Sequence, residues 1–452
     1  MDVGNIAELN TFLLLDAIRS HGEATRRQLG RELGLSDASV SRIVKRLLAT
    51  GIIEELPGAV GGTSASGASG GGPSGSGISG GASRGGGSGG AGAVRGRTPS
   101  ILRFVGPAGA VIAVDLGGTR CHGTLADLAG GPLATDVRHL GAADKTDADT
   151  DASTDADAGT HVGTDAAAGG AAGTLLRCIG ALRSRAAELA MPVRAVVVGI
   201  PALIDPVSQL ATAGPNVRWQ GFDLLAILGD QVGEPFEVDN DVNLAALGEA
   251  WRGQGRGVQS FVTLSLGTGI GGAVVIDGHL VRGSHNAAGE VAYFPFWRPR
   301  RRLGFEDVAS GPALRARAAE LLRQGAPTSL GRGGFEVADI FAAAAAGDPL
   351  GEQVVGELVT YVAAAIVGIT ALVDPGRVIL DGAIGRALAP WLAGLRSAVE
   401  AEVFRPPDIV VSKLGPDAAV TGAIARALAL VSELDVPAHL SRHVMRPASH
   451  PR

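Results

Sequence analysis

Cysteine is nearly missing from this chain: only Cys121 and Cys178 occur among 452 residues. Two thiols cannot build a cysteine-rich zinc site and give no disulfide framework, so a reducing, cytoplasmic compartment is expected. Lysine is almost as scarce, at Lys45, Lys145 and Lys413 alone, and arginine carries nearly all the positive charge. That imbalance reads as genome composition, not function. A formal net charge of −6 excludes a surface coated in basic groups, so nucleic-acid contact has to come from a local patch. The opening residues, MDVGNIAELN, lack the basic and apolar regions of a signal peptide. No run of about 20 apolar residues suggests a membrane span, and no membrane partner is expected. What is present is a 46% hydrophobic composition and length for two or three domains, enough for a sizeable core.

Composition divides the chain. Residues 1–57 are helical in pattern and free of low complexity. Residues 58–97 are Gly/Ser-rich and cannot bury enough apolar surface to offset their ordering entropy, which predicts a flexible insert. Residues 98–108 read as a return strand and linker. Beyond them, apolar strands alternate with helical stretches to about residue 430, the pattern of an α/β domain, followed by a tail over 431–452. A second biased insert, 143–173, places Asp147, Asp149 and Asp151 in alternation. A calcium loop needs Gly at its sixth position and Glu at its twelfth, where Ala152 and Ala158 stand. A solvated loop is the expectation.

The N-terminal zone has the order of a winged helix-turn-helix. The first helix is expected over 5–20, with Leu9, Phe12, Leu13 and Ala17 on one face. Thr25 and Gln28 form a T-x-x-Q capping signal for a second helix. Gly34-Leu35-Ser36 makes a short turn, and Ser36 suits the cap of a third helix, 37–50. Val40, Ile43, Val44, Leu47 and Leu48 give that helix one apolar stripe. Its other side shows Ser39, Ser41, Arg42, Lys45 and Arg46, which suits a major groove. Ser36, Ser39, Ser41 and Arg42 are the expected base-side contacts, with Lys45 and Arg46 on phosphates. Gly51 stops the helix, and Ile52–Leu56 should pair with Ser100–Phe104 as a wing. Arg95 and Arg97 flank a glycine at the wing's return, a finger suited to a minor groove; a linker with incidental arginines is an equal reading.

Two glycine turns follow apolar strands in the larger zone. "VDLGGT" supplies Asp115, Gly117, Gly118 and Thr119; "LGTGIGG" supplies Gly267, Thr268 and Gly269. Glycines let backbone N–H groups approach a phosphate. Two such turns about 150 residues apart suggest two lobes facing one nucleotide. Between them, "EVDNDVNL" ends a strand in Asp239-Asn240-Asp241 and opens a helix. A carboxylate there suits a general base, and Asn240 could bond neighbouring hydroxyls; both residues could equally just cap the helix.

These motifs, together with "GIPALIDP" (199–206), "GE" (289–290), "LVDPGRVILDGAI" (372–384) and "TGAIARAL" (421–428), resemble the ROK family of repressors and sugar kinases, in its transcription-regulator branch. The resemblance implies an actin-like, ribonuclease-H-like fold of two α/β lobes, taken as 109–235 and 236–430. It implies a sugar pocket of Asn240, Asp241 and Glu290 with Glu306 nearby, and phosphates near 115–119 and 267–269. If the chain is a kinase, Asp241 is the catalytic base and ATP with magnesium the cofactor.

Three departures from the family pattern weigh against a kinase. Tyr293 stands where the family has a histidine that touches sugar and zinc. The following stretch, "FPFWRPRRRLGFEDVASG", holds no cysteine, and a structural zinc needs about four N/S ligands, so no metal site is expected; His285 alone reads as a loop residue. The usual glycine triplet on the adenosine side is Asp381-Gly382-Ala383. The resulting expectation is a sugar-responsive regulator, a repressor of carbohydrate-metabolism genes, needing no cofactor. Its partners would be a roughly palindromic DNA operator, a sugar or sugar derivative, and a second copy of itself. The alternative is an ATP-dependent sugar kinase with an appended DNA-binding domain.

Overall fold

The computed structural model describes residues 11, 14–15, 17–18, 21–49, 51–57, 100–105, 109–140, 170–205, 211–212, 224–298, 301–331 and 334–434. The chain divides into two units, one ending at Val105 and a larger one beginning at Gly106.

In the N-terminal unit, β1 (Glu23–Thr25), β2 (Ile53–Leu56) and β3 (Ile101–Phe104) form an antiparallel sheet in the order β1-β3-β2. Ile53 lies opposite Phe104 and Leu56 opposite Ile101, which is the expected wing pairing. Of the first helix, Leu14, Leu15, Ala17 and Ile18 are helical and buried, while Leu9, Phe12 and Leu13 lie outside the described residues. Helix α1 (Arg26–Leu33) starts where Gln28 N donates to Thr25 Oγ1 at 3.2 Å, and ends at Gly34 with φ of 64°. Helix α2 (Asp37–Ala49) is capped by Ser36, whose Oγ accepts from Ser39 N at 3.2 Å. Val40, Ile43, Val44 and Leu47 are buried along its stripe, each contributing roughly 1.5–3 kcal/mol relative to exposure.

The larger unit has two five-stranded sheets of matching design. The first contains β4 (Ala110–Leu116), β5 (Arg120–Asp127), β6 (Pro132–His139), β7 (Val193–Ile200) and, beyond the short pair β8 (Leu203–Ile204) and β9 (Ala211–Thr212), β10 (Phe236–Asn240). Its order is β10-β7-β4-β5-β6, with β7 parallel to β4 and β10 parallel to β7. The second contains β11 (Phe261–Leu266), β12 (Ile270–Ile276), β13 (His279–Val281) and, after the hairpin β14 (Pro295–Arg298) and β15 (Arg301–Gly304), β16 (Arg377–Asp381) and β17 (Asp408–Val411). Its order is β13-β12-β11-β16-β17, again three antiparallel strands and two parallel ones. Strands buried on both faces explain the near-continuous apolar runs, as in β4, where every residue is buried.

Helices complete the lobes: α3 (Ala171–Glu188) and α4 (Leu224–Gln231) in the first, α5 (Asp241–Arg252) after β10, and α6 (Glu306–Ala309), α7 (Gly311–Arg323), α8 (Val337–Ala345), α9 (Pro349–Val373), α10 (Gly382–Ala387) and α11 (Leu392–Glu400) in the second. The last, α12 (Ala418–Leu434), packs on α5 and back onto β4 and β7. Two expected lobe boundaries therefore move. β10 lies beyond residue 235 yet is the edge strand of the first sheet, and α12 returns to that sheet. Sheet membership is decided by non-local pairing, which chain order does not reveal. The insert also ends earlier than expected, because Ala171, Ala172 and Gly173 already form the start of α3.

By length and composition α9 could cross a membrane, contrary to the expectation that no segment would pass that test. It is a core helix: Leu350, Val354, Val355, Leu358, Val362, Ile366 and Ile369 are buried within the second lobe. Glu357 on the same helix takes Arg317 Nη2 at 2.7 Å and Nε at 2.8 Å.

Candidate functional site

The parallel strands β4, β7 and β10 bring their C-terminal ends together, with Asp115 and Asp239 both in register with Gly199. Asp115 is only 9% exposed. After it, the β4–β5 turn closes with Gly117 N donating to Arg120 O at 2.9 Å. A Cβ placed on Gly118 would meet nothing within 4 Å, so packing does not demand glycine there. The β11–β12 turn repeats the design: Gly267 N donates to Gly269 O at 3.0 Å, and Gly311 N, at the start of α7, donates to Gly267 O at 2.8 Å. Thr119 and Thr268 are both exposed at their turn tips.

Asn240 serves as the cap of α5. Its Oδ1 accepts from Val242 N (2.9 Å) and Asn243 N (3.2 Å), and its Nδ2 donates to Ala202 O at 3.3 Å. The capping reading thus accounts for the Asn240 oxygen, and one amide N–H goes to Ala202 O, so only the second N–H of the amide is left for a hydroxyl. Asp241 accepts from Val242 N at 2.9 Å and is partly exposed. Glu290 follows Gly289, whose φ of 93° and tight seat (an added Cβ would lie 2.2 Å from Gly272 O) fix where the glutamate leaves the chain. Glu306 opens α6, and its Oε2 accepts from Ile270 N at 2.9 Å. One of its oxygens is therefore spent on holding the second glycine turn. Asp381, buried at the end of β16, takes Arg386 Nη1 at 3.3 Å. Gly382 beside it has φ of 77°, and a Cβ there would lie 2.2 Å from Leu266 O.

These carboxylates act on one another. Burial first, then Asp241, pushes Asp115 up to about 7; Arg120 pulls it down and Asp381 raises it further. Asp241 is raised to about 6, chiefly by burial, with Asp381 adding to it against its backbone hydrogen bonds. Glu290 is raised by burial, then by Asp241 and Glu306. Asp381 is raised by burial against Gly382 N and Arg386. The cleft is thus a mutually coupled acidic site, suited to accepting hydrogen bonds from hydroxyls.

Sequence reasoning missed the groups that bring the lobes together. Arg282, just after β13, donates to both oxygens of Asp239 at 2.8 and 2.6 Å. Asp239 also accepts from Asn240 N and Asn243 Nδ2. Asn286, with φ of 54°, donates to Ile204 O at 2.8 Å. Together they strap the loop carrying Glu290 to the first lobe. Behind the cleft, α5 and α12 cross through Gly248 and Gly422; a Cβ on Gly422 would lie 1.7 Å from Leu244 O. Among the described residues, no group of three or more His, Cys, Asp and Glu is arranged to hold a metal. Tyr293 is exposed in a 3-10 turn, Val291–Tyr293, and His285 is exposed in the loop before Glu290.

In the N-terminal unit the cations sort into two groups. Arg26 is bound to Glu55 (2.5 and 3.0 Å) and Ser100 (2.7 Å), and Arg103 to Glu54 (2.7 Å). Arg46 is half-buried and donates to Thr11 Oγ1 at 2.5 Å, bracing α2 against the first helix instead of facing outward as expected. Arg27, Arg31, Arg42 and Lys45 are exposed, with no hydrogen bond or ion pair to other described residues. Ser41 is exposed, and the Ser36 and Ser39 hydroxyls share a bond of 2.9 Å. Arg95 and Arg97 lie outside the described residues.

Comparison with known proteins agrees with both units. A sequence profile of the ROK family matches residues 111–430, and one of the MarR family matches residues 8–61. The chain is 32% identical over 247 residues to a glucokinase of Thermotoga maritima, covering 50% of this chain and 76% of that protein. It is 29% identical over 240 residues to a glucokinase of Halalkalibacterium halodurans, covering 50% and 73%. Among solved structures, a ROK family transcriptional regulator homologous to the E. coli MLC protein superposes with a TM-score of 0.71 at 21% identity, over 95% of this chain and 98% of that one. At that identity the likeness speaks for the fold. A ROK family glucokinase from Streptomyces griseus, in complex with glucose and AMPPNP, gives 0.55 at 26% identity, over 71% and 99%. With a ROK match over most of its length and a winged helix ahead of it, the chain belongs to the ROK family.

Proposed function

We propose that this chain is a sugar-responsive DNA-binding transcriptional regulator, a cytoplasmic homodimer that represses carbohydrate-metabolism genes from a roughly palindromic operator. The observation that carries the reading is the pairing, on one chain, of a winged helix bearing exposed Arg42 and Lys45 with a two-lobed ROK unit whose cleft is acidic. Asp241 and Glu290, with the Asn240 amide and with Glu306 nearby, present mostly acceptors to a polyol. Paired hydroxyl–carboxylate bonds discriminate strongly without chemistry. Asp381, a carboxylate where the family pattern has a glycine on the adenosine side, weighs against a nucleotide, although Arg386 offsets part of its charge. Sugar binding across the straps Arg282–Asp239 and Asn286–Ile204 biases lobe closure, and closure shifts the half-site spacing that a dimer can match. No zinc is required in this reading.

A second reading, an ATP-dependent sugar kinase with an appended DNA-binding domain, is favoured by one observation. Asp241 is retained and raised to about 6, near the range of a working general base. ATP and magnesium would then be the cofactors. One pair of measurements separates the two: gel shift of the full chain on the DNA upstream of its own gene, and coupled ADP release over a sugar panel. Operator binding without turnover supports the regulator. Turnover that Asp241→Asn abolishes supports the kinase.

A further inference from the structure

We infer that Arg282 is a positioning residue of the cleft: by gripping Asp239 it fixes the spacing between Asn240 and Asp241 of the first lobe and Glu290 of the second. The inference rests on the sugar-binding reading above. Its ground is where the bonds of Asp239 go. The carboxylate is 4% exposed, and a charge so buried is kept only if it is paired and hydrogen-bonded. One oxygen, Oδ1, accepts from Asn240 N at 2.8 Å, Asn243 Nδ2 at 3.3 Å and Arg282 Nη1 at 2.8 Å. The other, Oδ2, accepts from Arg282 Nη2 at 2.6 Å. The first two donors stand on either side of Asp241 in the chain, so Asp239 holds the first turn of α5. A Cβ on Gly199 would lie 3.6 Å from Asp241 Cα, so β7 backs that turn closely.

Arg282 belongs to the other lobe, and the loop after it, 283–289, leads to Glu290. That loop is closed on itself. Ala288 N donates to Arg282 O at 3.1 Å, and a Cβ on Gly283 would lie 3.3 Å from Ala288 Cβ. Gly283 and Gly289, with φ of 74° and 93°, sit at its two ends. Asn286 fastens its middle to Ile204 O at 2.8 Å. Glu290 therefore leaves a loop whose root is clamped to the strand end that presents Asp241. A lysine would supply a point charge there, whereas the guanidinium fork fixes direction as well as distance. A second ion pair on the same strand offers a comparison. Glu237, two positions before Asp239, takes Arg426 Nε at 2.9 Å and Nη2 at 2.6 Å. Both of those partners lie outside the Glu290 loop.

The test uses the full chain, with isothermal titration of glucose, mannose, N-acetylglucosamine and sucrose and urea unfolding of each variant. Arg282→Ala is expected to weaken the best-bound of these sugars by about ten- to a hundredfold. Arg282→Ala with Asp239→Asn should regain stability, because no buried charge is left unpaired, yet bind as weakly as Arg282→Ala. A merely structural ion pair would not separate the two readouts. The double variant also carries the test should Arg282→Ala fold poorly. Arg282→Lys should recover part of the affinity. Arg426→Gln should lower stability and leave the sugar affinity unchanged. The inference is overturned if Arg282→Ala binds as tightly as wild type, if the double variant recovers affinity together with stability, or if Arg426→Gln weakens binding equally. A wild-type chain that binds none of the four sugars overturns the sugar-binding reading itself, and this inference with it.

Discussion

Replacing Asp115 by Asn should make the ROK unit more stable at mildly alkaline pH and leave it unchanged at acid pH. Asp115 rises from 3.8 to about 7 in the folded chain, first through burial and then through the neighbouring Asp241. The folded state therefore holds a proton that the unfolded state has released. Stability contributed by the neutral carboxyl is complete below about pH 4 and is lost as pH rises through about 7. Each tenfold displacement of a protonation equilibrium corresponds to about 1.4 kcal/mol, so the full interval is roughly 4 kcal/mol. Part of that belongs to the coupled set with Asp241 and Asp381, so a gain of about 1–4 kcal/mol is expected for the variant near pH 8. Asn keeps the shape and removes the charge. The assay is urea unfolding of both proteins at several pH values between about 4 and 8, reading the midpoint at constant slope. A variant less stable by the same amount at every pH would refute the electrostatic account of the cleft.

Three further substitutions probe the architecture. Gly422→Ala forces a Cβ to within 1.7 Å of Leu244 O, so α5 and α12 must separate; a loss of about 3 kcal/mol is expected in thermal melts, and a neutral result would contradict the close crossing. Arg282→Ala leaves the Asp239 carboxylate, 4% exposed, without its bidentate partner and should cost about 3 kcal/mol; adding Asp239→Asn should recover most of it. Arg46→Ala removes the bond to Thr11 and should lower the stability of the N-terminal unit by about 1–2 kcal/mol without changing the salt dependence of DNA binding, whereas a flatter slope would return Arg46 to the DNA face.

What could be read from the chain alone was whatever local geometry decides. The Thr25 and Ser36 caps and the stripe Val40–Ile43–Val44–Leu47 each depend on periodicity or on a neighbour three residues away. The glycine turns were visible because strand, glycine and hydroxyl lie in one stretch. Asn240 and Asp241 stayed ambiguous between capping and chemistry because both uses favour the same residues at the start of a helix; the structure gives the Asn240 oxygen to the cap. Arg46 was misplaced because helical spacing alone did not show that Thr11 would draw its guanidinium inward. The straps were invisible for a stronger reason. Asp239 and Arg282 are 43 residues apart, Asn286 and Ile204 are 82 apart, and nothing in either local sequence marks the other. The return of α12 to the first sheet, through Gly422 against α5, is of the same kind.

The most direct test of the central claim is operator affinity measured against sugar concentration. The sugar would be the one that most raises the melting temperature of the full chain. Linkage requires that a ligand favouring one lobe arrangement change DNA affinity by the same factor that DNA changes its own. The account predicts a change of about fivefold or more, lost in Asp241→Asn. Operator binding that stays constant while the sugar demonstrably saturates the cleft would contradict it.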